Sequence, residues 1–451
     1  MEIPIKKNDE LIVDIIDYGA NGEGIAKIEN FTIFVSGAMK NEKCKIHITK
    51  VLSSFAYAKV VEIIEKSNQR VEPDCSIYYK CGGCDLRHMC YEETLRIKQE
   101  KVQNLVDKNL AKPIKVSKTL GMDTPYYYRN KAIYPVSKDK KIGFYRKRTH
   151  DILELNLDED KCKIHSKLSQ EVANYVANNF KGDVYNSETG KGILRNIMTR
   201  EGFATKELML VIVQTTDEVL IDIDKVVKEF PQIKTIVINI NNKNTNVVLS
   251  RKNKVIYGDG FITDKLGDYY FKISPNSFYQ VNPIQTEKIY ELAIEKAELK
   301  KDDILCDLYC GIGTIGIFAS KFVNKVYGIE IVPEAIANAK ENAKLNKVEN
   351  IEFIEGDVEL AFSKLLKNNV KPNVVIVDPP RKGLDKATIQ NLCNLKLERL
   401  VYVSCNPATL VRDLKELGKE YEIKDIQPVD NFCYTSHVEC VAVMRQKTAT
   451  E

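Results

Sequence analysis

The sequence predicts an α/β protein. Its C-terminal part reads as a doubly wound, mostly parallel sheet, preceded by a small β-barrel and a β-rich middle region. Three observations carry this. Beyond about residue 283, apolar strand-length runs alternate with helical patterns and glycine turns. Residues 1–65 instead break into short β-rich runs punctuated by Gly19, Gly22, Gly24 and Gly37. A chain of 451 residues also exceeds one hydrophobic core, so two or three domains are expected.

Taken in order, the first runs are Leu11–Ile16, Thr32–Val35, Cys44–Val51 and Ala56–Ile64, which suit an antiparallel barrel of the oligonucleotide-binding kind. A cysteine-rich segment occupies residues 72–91, and residues 93–109 form a polar-faced helix. From Tyr126 to about Phe271 strand patterns dominate, among them Phe203–Gln214 and Thr235–Ile240, with one helix near Leu168–Asn179. The asparagine-rich residues 239–246 read as a turn or loop. A helix over Pro283–Ala297 then leads into strands Ile304–Tyr309, Lys325–Ile329, Ile351–Glu355, Val374–Asp378 and Leu400–Ser404.

With 44% hydrophobic and 29% charged residues, the composition is that of an ordinary globular protein. No apolar stretch approaches the length of a membrane span. The opening residues lack the apolar core and cleavage site of a signal peptide, so a cytoplasmic location is expected. In that compartment the twelve cysteines are read as metal ligands, catalytic thiols or core residues rather than disulfides. Net charge is only +4, but Tyr126–His150 holds eight basic residues against one acid, Asp139. Tyr126, Tyr127, Tyr128, Tyr134, Phe144 and Tyr145 are interleaved with them. Such a patch meets phosphates and stacks on unpaired bases, or it is a solvated face with aromatics turned inward.

The first turn of the parallel sheet reads Asp307-Leu308-Tyr309-Cys310-Gly311-Ile312-Gly313-Thr314-Ile315-Gly316. Glycines there let backbone approach a nucleotide-like ligand, and Glu330, ending the next strand, can accept both ribose hydroxyls. Taken alone the turn fits NAD as well as S-adenosylmethionine. Asp357, after the third strand, favours S-adenosylmethionine by offering a carboxylate to an adenine amino group; its alternative is helix capping. After the fourth strand, Asp378-Pro379-Pro380-Arg381 aims Asp378 into the crevice, where it could bond the NH edge of a planar heterocycle. Gln280, in Ser277-Phe278-Tyr279-Gln280-Val281-Asn282, could bridge base and cofactor.

Cys405, in Ser404-Cys405-Asn406-Pro407, ends the fifth strand at the edge where open α/β sheets bind ligands. A lone buried cysteine is usually a small hydrophobe. Here an acid flanked by apolar strand residues, Glu439 in His437-Val438-Glu439-Cys440, stands near the C-terminus. A thiol, a carboxylate and a methyl-donor turn suit methylation at a pyrimidine ring carbon. The thiolate adds at C6, C5 takes the methyl group, a base removes the C5 proton, and elimination frees the cysteine.

The cluster Cys75-x5-Cys81-Gly82-Gly83-Cys84 is the other strong signal, because a Cys-Gly-Gly-Cys turn lets two thiolates converge on a metal centre. Cys162 is the best candidate for a fourth ligand and Cys90 the alternative. Spacing leaves zinc and an iron–sulfur cluster both open.

These motifs, in this order, resemble the RNA (uracil-5-)-methyltransferases, specifically the iron–sulfur branch that modifies 23S rRNA, and the resemblance runs essentially end to end. It implies a Rossmann-like S-adenosylmethionine-dependent methyltransferase domain, an N-terminal TRAM-like barrel and a β-rich central domain carrying an iron–sulfur cluster. It implies boundaries at 1–65 for the barrel, 66–92 with 125–270 for the central domain, and 93–124 with 271–451 for the catalytic domain. By resemblance Cys405 is the nucleophile, Glu439 the base, and Asp378 and Gln280 lie against the uracil. Gln280, Tyr309, Gly311, Gly313, Thr314, Glu330, Asp357 and Asp378 fall at the cofactor, with Thr314 standing where relatives often carry asparagine. Cys75, Cys81, Cys84 and Cys162 carry over as [4Fe–4S] ligands. The implied partner is 23S rRNA, with the uridine flipped out of a loop, and a monomer is expected. Rival readings are a tRNA uracil methyltransferase, since relatives acting on tRNA often lack the cysteines, a non-catalytic RNA-binding protein, and a Rossmann oxidoreductase.

Overall fold

The computed structural model describes residues 3–157 and 161–447. Near the N-terminus, strands Glu10–Asp14, Asp17–Tyr18, Gly24–Ile28, Phe31–Ser36, Lys43–Val51 and Phe55–Glu65 form one six-stranded sheet. Alternation drives it: Ile33, Val35, Cys44, Ile46, Ile48, Ala56 and Ala58 point inward and are buried. The Ile16 N–H donates to Ile25 O at 2.8 Å, rolling the first strand back towards the third. One pairing departs from the antiparallel expectation: Phe31–Ser36 runs parallel to Phe55–Glu65.

The helix expected over residues 93–109 spans Tyr91–Asn109. It buries Val102 and Val106 in one cluster with Leu414 and Leu417 of helix Pro407–Leu417 and Ile426 of the C-terminal sheet. The middle region is a five-stranded sheet ordered Asn253–Tyr257, Ile233–Ile240, Leu208–Gln214, Leu194–Glu201, Lys131–Pro135. Helix Lys167–Asn179 packs Val172, Ala173, Val176 and Ala177 into its core. The strand predicted from Phe203 begins only at Leu208, because residues 203–206 turn and Lys206 takes a positive φ of 63°. Ile223–Glu229 forms a helix that its pattern did not reveal, capped by Asp222. The hairpin Ile262–Leu266 and Tyr269–Ile273 shares a core with both sheets: Ile262, Leu266 and Phe271 lie in one cluster with Val211, Val237, Ile294 and Val326.

The C-terminal sheet has seven strands, ordered Ile351–Glu355, Lys325–Glu330, Ile304–Leu308, Val374–Val377, Arg399–Ser404, Glu439–Gln446, Tyr421–Val429. The first five are parallel; beyond these anticipated strands, Glu439–Gln446 runs antiparallel to both its neighbours, Arg399–Ser404 and Tyr421–Val429. Pro428 is tolerated because Tyr421–Val429 is the edge strand. The strand order reverses between Ile304–Leu308 and Val374–Val377, which opens a crevice at their carboxyl ends.

Candidate active site

Four strand ends and two loops meet at that crevice. On the first strand, the Asp307 carboxylate accepts the Gly316 N–H at 2.8 Å, and a Cβ on Gly316 would press to 3.1 Å from the same oxygen. Asp307 is fully buried, and burial pushes its carboxyl up to about 7. The turn above it is wound left-handed: φ is +66° at Tyr309, +56° at Gly311 and +82° at Gly313. A Cβ on Gly313 would sit 2.7 Å from the Phe353 ring, whereas nothing lies within 4 Å of one on Gly311. The outer face of the turn at Gly311 is therefore open to a close-lying ligand. Tyr309 carries the same conformation with a Cβ, which marks stored backbone strain in this turn.

Glu330 reaches back to this turn, accepting the Gly311 N–H at 3.2 Å and the Val332 N–H at 3.0 Å. The Tyr309 hydroxyl donates to Asp385 at 3.4 Å. The Thr314 hydroxyl lies 3.0 Å from that of buried Tyr290. Asp357 caps helix Val358–Lys367 through the N–H groups of Glu359 and Leu360, so its capping reading is realised.

Gln280 sits in the loop before helix Pro283–Ala297, held from three sides. Asn130 donates its side-chain N–H to Gln280 O at 3.0 Å and its backbone N–H to Val281 O at 2.8 Å. Buried Arg200 donates to Ser274 O and Ser277 O. Asn282 caps the helix and donates to Asn431 O at 3.0 Å.

Cys405 directly follows, and Glu439 directly precedes, the antiparallel pair Ser404–Cys440, so both stand at the same end of that ladder. Asp378 extends the neighbouring parallel strand. The two carboxylates bear on the thiol. Burial, then the Glu439 and Asp378 carboxylates, push the Cys405 thiol up to about 11, while Arg381 pulls it down. Glu439, 3% exposed, is pushed up to about 8 by burial and by Asp378, opposed by the Asn431 amide and Arg381. Burial raises Asp378 to about 7. Asn431 and Arg381 were not singled out from sequence. Arg381 stood inside the Asp-Pro-Pro-Arg motif without a role, and Asn431 has no local pattern to betray it.

Cys75, Cys81, Cys84 and Cys162 line one cavity of about 400 Å³, together with Arg87, Lys131, Phe144 and His165. Cys90 does not line it; its thiol donates to Gln69 instead. Among the described residues no group of three or more His, Cys, Asp or Glu lies close enough to hold a single metal ion. Tetrahedral zinc with Zn–S bonds of about 2.3 Å would need its sulfurs within roughly 4 Å of one another. Burial raises the thiols of Cys81, Cys84 and Cys162, and their mutual repulsion adds to it.

The Tyr126–His150 patch divides. Tyr128 and Tyr134 are buried, and Phe144 stacks on His165 at 5.3 Å, so these rings serve the core rather than a base. Tyr145 is exposed beside Arg146, Lys147 and Arg148.

Comparison with known proteins now bears on the chemistry. The profile of the tRNA (Uracil-5-)-methyltransferase family matches residues 90–447, and that of the TRAM domain matches residues 6–61. An uncharacterized RNA methyltransferase of Clostridium acetobutylicum is 46% identical over 460 residues, covering 98% of each chain. One of Oceanobacillus iheyensis is 42% identical over 456 residues, again covering 98% of each. The crystal structure of Pyrococcus abyssi tRNA (uracil-54, C5)-methyltransferase in complex with S-adenosyl-L-homocysteine superposes with a TM-score of 0.77 at 26% identity, over 96% of this chain and 100% of that one. The chain described here belongs to the tRNA (uracil-5-)-methyltransferase family of RNA methyltransferases and carries an N-terminal TRAM domain.

Proposed function

We propose that this enzyme methylates C5 of a uridine in 23S rRNA, taking the methyl group from S-adenosylmethionine through a covalent Cys405 adduct. The observation that carries the reading is the ladder end at Ser404–Cys440, which brings Cys405 and Glu439 together close enough for the carboxylate to raise the thiol.

The donor lies along Tyr309, Gly311, Gly313 and Thr314, with its ribose at Glu330, its adenine near Asp357, and its methyl end towards Asp378 and Gln280. The open face at Gly311 and the turn N–H already engaged by Glu330 support this placement. Neutral uracil is too weakly nucleophilic at C5 to be methylated directly. The Cys405 sulfur therefore forms a bond to C6, and the electron pair so displaced makes C5 the nucleophile. C5 takes the methyl group from the sulfonium, releasing S-adenosylhomocysteine. Glu439 accepts the C5 proton, the C5=C6 bond reforms, and the thiolate leaves. A carboxylate whose pKa lies near the working pH suits that proton transfer. Asp378 and Gln280 hold the base edge.

Four cysteines lining one cavity, yet too dispersed for one ion, fit the larger [4Fe–4S] cluster better than zinc. Cys75, Cys81, Cys84 and Cys162 would hold it. Such a group supplies rigid cross-linking of the segments that carry its ligands, and the methylation needs no electron from it. The barrel, whose partly exposed Phe34, Phe55 and Tyr57 pack as a trio, and the basic surface around Tyr145 would hold flanking RNA. A monomer and a cytoplasmic location are part of this proposal.

A tRNA substrate is the second reading, favoured by the likeness to the Pyrococcus abyssi enzyme. Incubation of the protein with labelled S-adenosylmethionine and either 23S rRNA or bulk tRNA decides between them. Label confined to 23S rRNA, as 5-methyluridine, is expected. Label confined to tRNA would overturn the substrate, and label absent from uridine C5 would overturn the reaction.

A further inference from the structure

We propose that Arg87 is a positioning residue through which the cysteine site governs the loop that presents Glu439. This rests on the reading of the four cysteines as cluster ligands and of Glu439 as the base. Residues 430–438 connect the last two strands of the catalytic sheet and run straight into Glu439. They are buried for a connection of this length: Asp430, Asn431, Cys433, Tyr434, Thr435 and Ser436 all lie inside. Asn431 faces Glu439 from this loop.

The apex of the loop is docked on the Cys-Gly-Gly-Cys turn. The Tyr434 carbonyl accepts the N–H groups of both Asp85, at 2.9 Å, and Leu86, at 3.0 Å, the two residues that follow Cys84. Ser436 donates to the Asp85 carboxylate at 3.3 Å through its N–H and its hydroxyl. Tyr434 itself is held at φ +60°, a conformation a side chain adopts only where its surroundings enforce it.

Arg87 is the group that ties the two together. Its guanidinium lies 4.4 Å over the Tyr434 ring and 5.5 Å from the Tyr126 ring. It also donates to the Asp74 carboxylate at 2.7 Å and lines the cysteine cavity beside Cys84. It is 3% exposed. A buried cation that lines the cysteine cavity on one side and stacks on a strained loop residue on the other links the two sites directly. With the cysteines bridged, Arg87 is fixed and Tyr434 is clamped. With the cysteines unbridged, the Cys84 turn is freed and the clamp on the 430–438 loop relaxes.

The test uses the full chain. Amide hydrogen exchange of residues 430–438 is compared in wild-type protein with its iron retained and after the iron is removed by chelation and oxidation. Faster exchange in that segment after removal is expected; unchanged exchange overturns the proposal. In parallel, Arg87→Met and Arg87→Lys are prepared anaerobically. Arg87→Met should bind S-adenosylhomocysteine as wild type does but lose roughly tenfold in kcat, the lower end of what outer-shell changes cause. Its visible iron–sulfur band should shift, and covalent protein–RNA adduct should accumulate, because proton removal lags behind attack. Arg87→Lys, keeping the charge, should recover part of both. Wild-type turnover and adduct level in Arg87→Met overturn the proposal. If Arg87→Met holds no iron, the wild-type exchange comparison alone decides. Failure of the underlying reading looks different: colourless wild-type protein, or no adduct even in Glu439→Gln.

Discussion

Cys405 directly follows, and Glu439 directly precedes, the antiparallel Ser404–Cys440 pair, so thiol and carboxylate stand at the same end of one ladder. Burial and then Glu439 push the thiol up to about 11, while burial and Asp378 push Glu439 up to about 8. A carboxylate beside the thiol disfavours the thiolate, so Cys405 holds its proton more tightly.

A pH dependence follows. Burial and Asp378 raise Glu439 to about 8, so in the free enzyme it is largely protonated at neutral pH and cannot accept a proton. The high Cys405 value acts in the same direction, since the thiolate is the attacking form. Single-turnover methylation measured from pH 6 to 9.5 should rise through about pH 8. A rate falling across that interval would place the controlling groups elsewhere.

Arg381 lowers the pKa of both groups. Its own carbonyl accepts from the Asn406 and Thr409 side chains, which anchors the loop independently of the guanidinium. Arg381→Ala should therefore leave the fold intact and move the rate profile to higher pH. An unmoved profile in the same assay would remove Arg381 from the account.

Gly311 and Gly313 respond differently to alanine. Both carry positive φ, which costs a side chain about 1 kcal/mol or more. Only at Gly313 does the new methyl meet protein, 2.7 Å from Phe353. Gly313→Ala should lower the thermal midpoint markedly, whereas Gly311→Ala should cost mainly S-adenosylhomocysteine affinity, by calorimetry, because the space there belongs to the ligand. Equal losses of stability with unchanged affinity would refute the placement.

The buried pair Lys98–Asp430 anchors the start of the Glu439 loop to helix Tyr91–Asn109. Tyr91 also donates to Asp430, at 2.8 Å. Lys98→Met should destabilise the protein by about 3 kcal/mol, because an uncompensated carboxylate is left buried. Adding Asp430→Asn should recover much of it. Chemical denaturation of the two variants checks both statements.

Much of this was legible in the sequence, and the exceptions share a cause. The five parallel strands announced themselves as continuous apolar runs ended by an acid, a glycine turn or a cysteine, because strands buried on both faces need no polar alternation. Cys75, Cys81 and Cys84 stood out by spacing, Cys162 was the candidate fourth member, and all four line one cavity. Asp357 was weighed as ligand or cap, and a cap is what it forms. What local pattern could not convey was pairing across distance. The meeting of Cys405 and Glu439 at one ladder end depends on the antiparallel insertion of Glu439–Gln446 between Arg399–Ser404 and the edge strand. Asn431, Arg87 and Lys98 acquire their roles only through contacts with residues tens or hundreds of positions away. Tyr128 and Tyr134, readable from the basic stretch either as base-stacking rings or as rings turned inward, are turned inward and buried.

The central claim is that Cys405 attacks and Glu439 completes the turnover. Glu439→Gln, incubated with substrate RNA and S-adenosylmethionine and run on a denaturing gel, tests it most directly. The amide preserves shape but cannot accept the C5 proton, so a protein–RNA adduct carrying the labelled methyl group should persist, and should vanish in Cys405→Ala/Glu439→Gln. Free methylated RNA at the wild-type rate, or an adduct that survives loss of Cys405, would contradict it.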